Sequence, residues 1–306
     1  MTRPVAVAPD TRPPMYEAMC SAVRRAGAEL VDPVDAEGLV WADPARPDLF
    51  PSTIQGANSL TWVQLPYAGI EPFAHHLDTR LRWSCGKGVY ASAVAETVLA
   101  LILATCKNLH GYSRASTWSG PVGRQLTNSR VTVLGGGGIT SSLLPLLAPF
   151  DCQTTVVRRS SAAFPEADHT VTVDLLDEVL PETDILVLAL ALTSETTGII
   201  DSHRMDLLPD DAWIINVARG GHIVTGDLVA ALTQGSIGGA ALDVTDPEPL
   251  PDGHPLWSLP NCLITPHIGN TPEMGLALLT PFVEENVRRF VEHRDLLATV
   301  DVALGY

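Results

Sequence analysis

Six short β-prone runs recur through the larger, later part of the chain: Val131–Leu134, Thr154–Val157, Ile185–Leu190, Trp213–Val217, Ala240–Val244 and Leu263–Thr265. Most are apolar at successive positions, not alternate ones, and segments of helical spacing separate them. A strand that is apolar on both faces must be covered on both, which happens when crossover helices join parallel neighbours. The pattern therefore predicts an α/β fold with a doubly wound parallel sheet. A similar series opens the chain, with strands at Val5–Ala8, Leu39–Trp41 and Leu60–Leu65 and a helix from Met15 to Ala26 that Gly27 stops. Long helices are expected from about Ala91 to Leu109 and from about Pro272 to His293. Two such α/β domains account for 306 residues. The expected division is 1–96 plus 272–306 for one and 97–271 for the other, because the first segment needs a partner that the last helix can supply.

Composition narrows the partners. The formal net charge is −16, with 19 basic against 35 acidic residues, so the average surface repels nucleic-acid backbones and anionic membranes. Neither partner is expected, and an anionic ligand would need its own local cations. The apolar run Thr97–Cys106, bounded by Glu96 and Lys107, is too short to span a bilayer and predicts a buried helix. Cys20, Cys85, Cys106, Cys152 and Cys262 are scattered, as small buried hydrophobes in a reducing compartment would be. No basic stretch leads into an apolar run at the start, so no signal peptide and a cytoplasmic location are expected. No Cys, His and carboxylate set has metal-ligand spacing, and no metal is expected.

Gly135-Gly136-Gly137-Gly138-Ile139 follows one predicted strand and opens one predicted helix. In that context Gly135 permits a tight turn, Gly137 lets a pyrophosphate approach the backbone, and the amides of Gly138 and Ile139 start a helix whose dipole favours anions. This is the phosphate loop of a Rossmann-like dinucleotide fold, except that Thr140 stands where the last glycine of the motif belongs. The strand that follows ends in Arg158-Arg159-Ser160. An enzyme selective for NAD carries a carboxylate near this register to hold the adenosine ribose. Two guanidiniums and a hydroxyl suit a 2′-phosphate instead, so NADP(H) is the expected cofactor and NAD(H) the alternative.

Three further segments follow apolar strands, where α/β sheets place their ligands. They are Asn216-Val217-Ala218-Arg219-Gly220-Gly221, Leu242-Asp243-Val244-Thr245-Asp246-Pro247-Glu248-Pro249-Leu250 and Thr265-Pro266-His267-Ile268-Gly269. With Tyr67-Ala68-Gly69-Ile70, Val94-Ala95-Glu96 and Leu192–Gly198, this ordered set resembles the D-isomer-specific 2-hydroxyacid dehydrogenase family from about residue 60 to 270. The resemblance implies two Rossmann-like domains with cofactor and active site in the cleft between them. It implies Arg219, Glu248 and His267 as catalytic residues, and backbone amides at Ala68 and Gly69 that hold the substrate carboxylate. It also implies cofactor contacts at Thr196, Val217, Ala218 and Asp243, and a homodimer formed through the helix near residue 95.

The residue chemistry agrees. Reducing a 2-keto acid requires a hydride donor, a proton for the carbonyl oxygen and a cation for the carboxylate. His267 can give the proton, Glu248 can hold the imidazole, and the planar fork of Arg219 can grip carboxylate and carbonyl oxygens. Tyr67 is expected to line the substrate pocket. The expected activity is hydride transfer between NADP(H) and a small D-2-hydroxy or 2-keto acid such as glyoxylate, hydroxypyruvate or pyruvate. A low-turnover cofactor-binding regulator on the same fold is the alternative. Thr140, Arg158 and Ala191 (a proline position in the family) depart from the pattern, and all three concern cofactor binding.

Overall fold

A computed structural model describes residues 3–302. The chain divides into two compact units, residues 1–90 with 271–306 and residues 91–270. The first crossing falls at Tyr90/Ala91, ahead of the helix Ala91–Cys106 and not within it. The physical reason is the helix's packing. Ala95, Val98, Leu101, Ile102 and Cys106 share one buried cluster with Val131, Val133, Leu143 and Leu147 of the second unit.

The first unit holds β1 (Pro4–Ala8), β2 (Glu29–Leu30), β3 (Gly38–Trp41), β4 (Trp62–Gln64) and β5 (Arg82–Ser84), in the order β2-β1-β3-β4-β5. All neighbours are parallel, with Val7 beside Val40 and Val63 beside Trp83. Trp41, Phe50, Phe73 and Trp83 fill the core under the sheet. The helices Pro13–Arg25 and Pro272–Val291 pack on one another. The second of them is tied to the sheet by a buried polar network. Asn286 donates from Nδ2 to Gln64 Oε1 at 2.6 Å and to Leu297 O at 3.2 Å, and its Oδ1 accepts from Leu297 N at 2.7 Å. Ser84 Oγ accepts from Trp62 Nε1 and donates to Gln64 Oε1, both at 2.8 Å. Such a network is stable when each member is satisfied, and it fixes one arrangement of the elements that share it.

The second unit is a parallel sheet of seven strands: β6 (Arg130–Leu134), β7 (Gln153–Arg158), β8 (His169–Thr172), β9 (Ile185–Leu188), β10 (Trp213–Asn216), β11 (Gly239–Leu242) and β12 (Cys262–Ile264). Their order is β12-β11-β10-β9-β6-β7-β8. Residues alternate between two buried layers. Leu186, Leu188, Ile214, Ala240 and Leu242 face one, and Ile185, Val187, Ile215 and Ala241 face the other. Both faces being covered explains the continuous apolar runs. The order of the chain reverses between β6 and β9. In open α/β sheets the crevice outside the carboxyl ends at such a point is where ligands bind. Among the described residues no helix is long and apolar enough to cross a membrane.

Candidate active site

The glycine turn after β6 is dictated by close approach. Gly135 has φ +113°, and a Cβ there would lie 2.2 Å from the carbonyl oxygen of Ala189, just past β9. No other residue type fits. Gly137 caps the helix Gly138–Leu147 in extended backbone, and a Cβ added to it would meet nothing within 4 Å. The turn thus leaves open space at the start of the helix, where the first amides lack intrahelical acceptors. A dinucleotide pyrophosphate fits that arrangement. Thr140 is fully buried, and its Oγ1 donates to Gly135 O at 2.7 Å, so the extra methyl is packed and the hydroxyl braces the turn.

At the end of β7 the Arg158 side chain lies across the same turn. Its Cδ and Nε would sit 3.0 and 3.1 Å from a Cβ on Gly136, and its guanidinium stands 5.6 Å from the centre of the Phe164 ring. Arg159 and Ser160 beside it are exposed, and Ser160 Oγ accepts from Ala162 N at 3.2 Å.

Beyond β10 the buried Asn216 shapes the next turn. Its Oδ1 accepts from Ala218 N at 3.0 Å and its Nδ2 donates to Arg219 O at 2.9 Å. Val217 and Ala218 are buried, while Arg219 is half-buried and donates from Nη1 to Ala218 O at 2.7 Å. Gly220 lets this turn press on the loop after β11. A Cβ there would lie 2.0 Å from the carbonyl carbon of Thr245. The same loop carries Glu248, whose Oε1 is 2.7 Å from His267 Nδ1. The carboxylate only accepts, so Nδ1 bears the hydrogen and Nε2 is left for chemistry.

His267 adopts a left-handed backbone, φ 53°, which costs energy for a residue with a side chain. Asp243 holds it there. The Asp243 main-chain carbonyl accepts from His267 N at 2.9 Å. Its Oδ1 accepts from Thr265 Oγ1 at 2.6 Å and Ile268 N at 2.8 Å, and its Oδ2 from Gly269 N at 2.9 Å. A carboxylate has about four acceptor directions, so one remains for a ligand.

Residues 99–269 match the family described as D-isomer specific 2-hydroxyacid dehydrogenase, NAD binding domain. The chain belongs to the D-isomer-specific 2-hydroxyacid dehydrogenase family. It is accordingly an NAD(P)-dependent oxidoreductase. An uncharacterized protein in the proB 3′ region of Corynebacterium melassecola is 36% identical over 305 residues, covering 96% of this chain and 98% of that one. Glyoxylate/hydroxypyruvate reductase A of Klebsiella pneumoniae (strain 342) is 32% identical over 192 residues, 63% of this chain and 61% of the reductase's length. Among solved structures, an NADPH-dependent glyoxylate/hydroxypyruvate reductase from Sinorhizobium meliloti, in complex with NADP and sulfate, shares 25% identity. Its TM-score is 0.82 and both chains are covered fully.

The other residues expected in this dehydrogenase's site fall as follows. Thr196 ties the loop after β9 together, its Oγ1 donating to Ala191 O and accepting from Thr193 N, both at 2.8 Å. In the first unit, Tyr67, Ala68 and Gly69 form the loop after β4. Tyr67 packs edge-on to Tyr90 with ring centres 5.8 Å apart. The Ala68 and Gly69 amides meet no backbone acceptor among the described residues.

Three positioning residues escape sequence reasoning: Asn216, Asp243 in its role toward His267, and His222. His222 is buried, with Nδ1 3.0 Å from Thr196 O and Nε2 3.2 Å from Leu190 O, so it joins the Arg219 turn to the Thr196 loop. Burial lowers its pKa despite those two carbonyls. Its place two residues after an apolar strand's Arg-Gly pair was the available signal. Among the described residues no cluster of His, Cys, Asp or Glu could hold a metal.

Proposed function

We propose that the protein reduces small 2-keto acids to D-2-hydroxy acids with NADPH, glyoxylate and hydroxypyruvate being the first candidates. The observation that carries this reading is the His267–Glu248 pair at 2.7 Å, set on strand-end loops of a nucleotide-binding sheet with Arg219 on the adjoining turn. A bound dihydronicotinamide supplies the hydride that adds to the carbonyl carbon. His267 enters as the imidazolium and gives its Nε2 proton to the carbonyl oxygen as the C=O bond becomes C–OH, leaving the neutral ring, while Glu248 holds that ring through Nδ1. Arg219 grips the carboxylate and polarises the carbonyl, most strongly as negative charge develops on oxygen. In the first unit the Ala68 and Gly69 amides are assigned to the substrate carboxylate, and Tyr67 lines the substrate space.

On the cofactor side, Gly135, Gly137, Gly138 and Ile139 receive the pyrophosphate. Arg158, Arg159 and Ser160 receive the 2′-phosphate. Thr196, Val217 and Ala218 would line the dinucleotide, and Asp243 would contact its nicotinamide side. The Sinorhizobium meliloti reductase, described as NADPH-dependent, supports the cofactor assignment. In this scheme residues 1–90 with 271–306 bind substrate and residues 91–270 bind the dinucleotide. The protein works in the cytoplasm as a homodimer, the partly open flank of the helix Ala91–Cys106 (Val94, Leu99, Leu103) and the exposed Trp118 and Val122 supplying apolar surface for the contact.

The test is a panel of 2-keto acids scored in parallel with NADPH and NADH. Reduction of glyoxylate or hydroxypyruvate to the D or achiral product supports the proposal. Tight NADPH binding with no turnover on any keto acid would replace it with a cofactor-binding scaffold.

A further inference from the structure

A second guanidinium in the first unit has no part in the scheme above. Arg12 begins the turn into the helix Pro13–Arg25 and is half-buried. Its Nη1 lies 3.4 Å from Tyr67 Oη, and the two side chains line one cavity of about 360 Å³ walled by Pro44, Leu65, Pro66 and Phe73. In this acidic chain most arginines sit on a carboxylate, as Arg3 does on Glu37 and Arg25 on Glu284. No carboxylate among the described residues comes within ion-pair distance of Arg12. The lining of the cavity holds no carboxylate, and the acidic residue next to Pro44 of the wall is already engaged. Asp43 accepts from Thr11 Oγ1 through Oδ2 at 2.7 Å and from Ala45 N through Oδ1 at 3.0 Å.

A cation held against an apolar wall without a counter-ion is poised for an anion from outside. The planar fork can bind a carboxylate with two parallel hydrogen bonds, and only one of its nitrogens is spent, weakly, on Tyr67. We infer that Arg12, steadied by the Tyr67 hydroxyl, is a specificity residue for 2-keto acids that carry a second carboxylate at the far end of the chain. This rests on the 2-keto acid reading above, in which the Ala68 and Gly69 amides of the same unit take the first carboxylate, Gly69 lining the same cavity as Arg12. The cavity is also roomy for a two-carbon acid and suits a four- or five-carbon one.

The test compares acids of equal length that differ only in the terminal group: oxaloacetate with 2-oxobutyrate, and 2-oxoglutarate with 2-oxopentanoate. In the wild-type protein kcat/KM should favour the diacid of each pair by at least tenfold. Arg12→Leu should reduce that ratio by tenfold or more, mainly through KM of the diacid, Arg12→Lys should retain part of it, and Tyr67→Phe should lower it slightly. Calorimetric binding of succinate against butyrate to the NADP-loaded protein gives the same comparison without turnover. A wild-type ratio near one, or a ratio that survives Arg12→Leu, overturns the inference. Absence of reduction with every acid overturns the 2-keto acid reading instead, while the binding ratio still decides the role of Arg12.

Discussion

Replacing Arg158 with Gln should separate the two nicotinamide cofactors. The guanidinium lies across Gly136 and near the face of Phe164, so it is partly ordered before any ligand arrives. A hydrogen bond to a charged group contributes roughly 1.5–3 kcal/mol, and each 1.4 kcal/mol is about a factor of ten. The side chain is only partly buried, so the lower end applies. Wild-type protein should therefore prefer NADPH over NADH by about tenfold or more in kcat/KM, and Arg158→Gln should remove about tenfold of that preference. NADH turnover should hardly change, because no phosphate is lost from its contacts. The assay is steady-state reduction with each cofactor at two ionic strengths. Higher salt should weaken NADPH more than NADH, since a partly exposed ion contact is screened. Equal use of both cofactors by the wild type, or an unchanged ratio in Arg158→Gln, refutes the assignment of this strand end to the 2′-phosphate.

His267→Gln should lower kcat by about 10²–10⁴-fold with NADPH binding retained, because it removes the proton donor alone; near-normal turnover would reject the role. Glu248→Gln should lower kcat less, by weakening the 2.7 Å contact that orients the ring, and cofactor titration checks that binding persists. Gly220→Ala should disturb both the Arg219 turn and the Glu248 loop, given the 2.0 Å approach of a Cβ to Thr245, and lower both melting temperature and kcat/KM. Acid should destabilise the fold through His222 and His110, whose pKa values burial lowers from 6.5. Below that value the unfolded chain binds protons that the folded one refuses, so unfolding free energy falls with falling pH by at most about 1.4 kcal/mol per unit for each ring. Denaturant titrations from pH 7 to 5 should show a shallower decline in His222→Gln than in the wild type.

The strands that build the nucleotide-binding sheet were legible because burial on both faces leaves an uninterrupted apolar run. β8 was not, since an edge strand of His169, Thr170, Val171 and Thr172 is only partly covered and reads as loop. β5 was hidden for another reason: Arg82-Trp83-Ser84 is three residues long and its one apolar member carries no period. The His267, Glu248 and Arg219 segments could be found because each follows such a strand. Their supports could not. Asp243 acts on a loop more than twenty residues away, and its three carboxylate contacts appear only when β11 and β12 are paired. Thr140 looked like an obstacle in the sequence, yet the hydroxyl that distinguishes it from glycine finds Gly135 O.

The Asn286 network also constrains the order in which the chain can mature. Residues 91–270 are contiguous, so everything their sheet needs has left the ribosome by the time Asn270 emerges. The amino-terminal strands are made first but must wait. Gln64 and Ser84 bond each other early, but their buried network is completed only by Asn286, which is synthesised some two hundred residues later. Until then the oldest part of the nascent protein is an unfinished sheet with exposed apolar surface, and the second-made unit is the first to be complete. Chaperone dependence should accordingly concentrate on the amino-terminal segment, and a chain truncated before the last helix should lose that segment's fold while keeping the other.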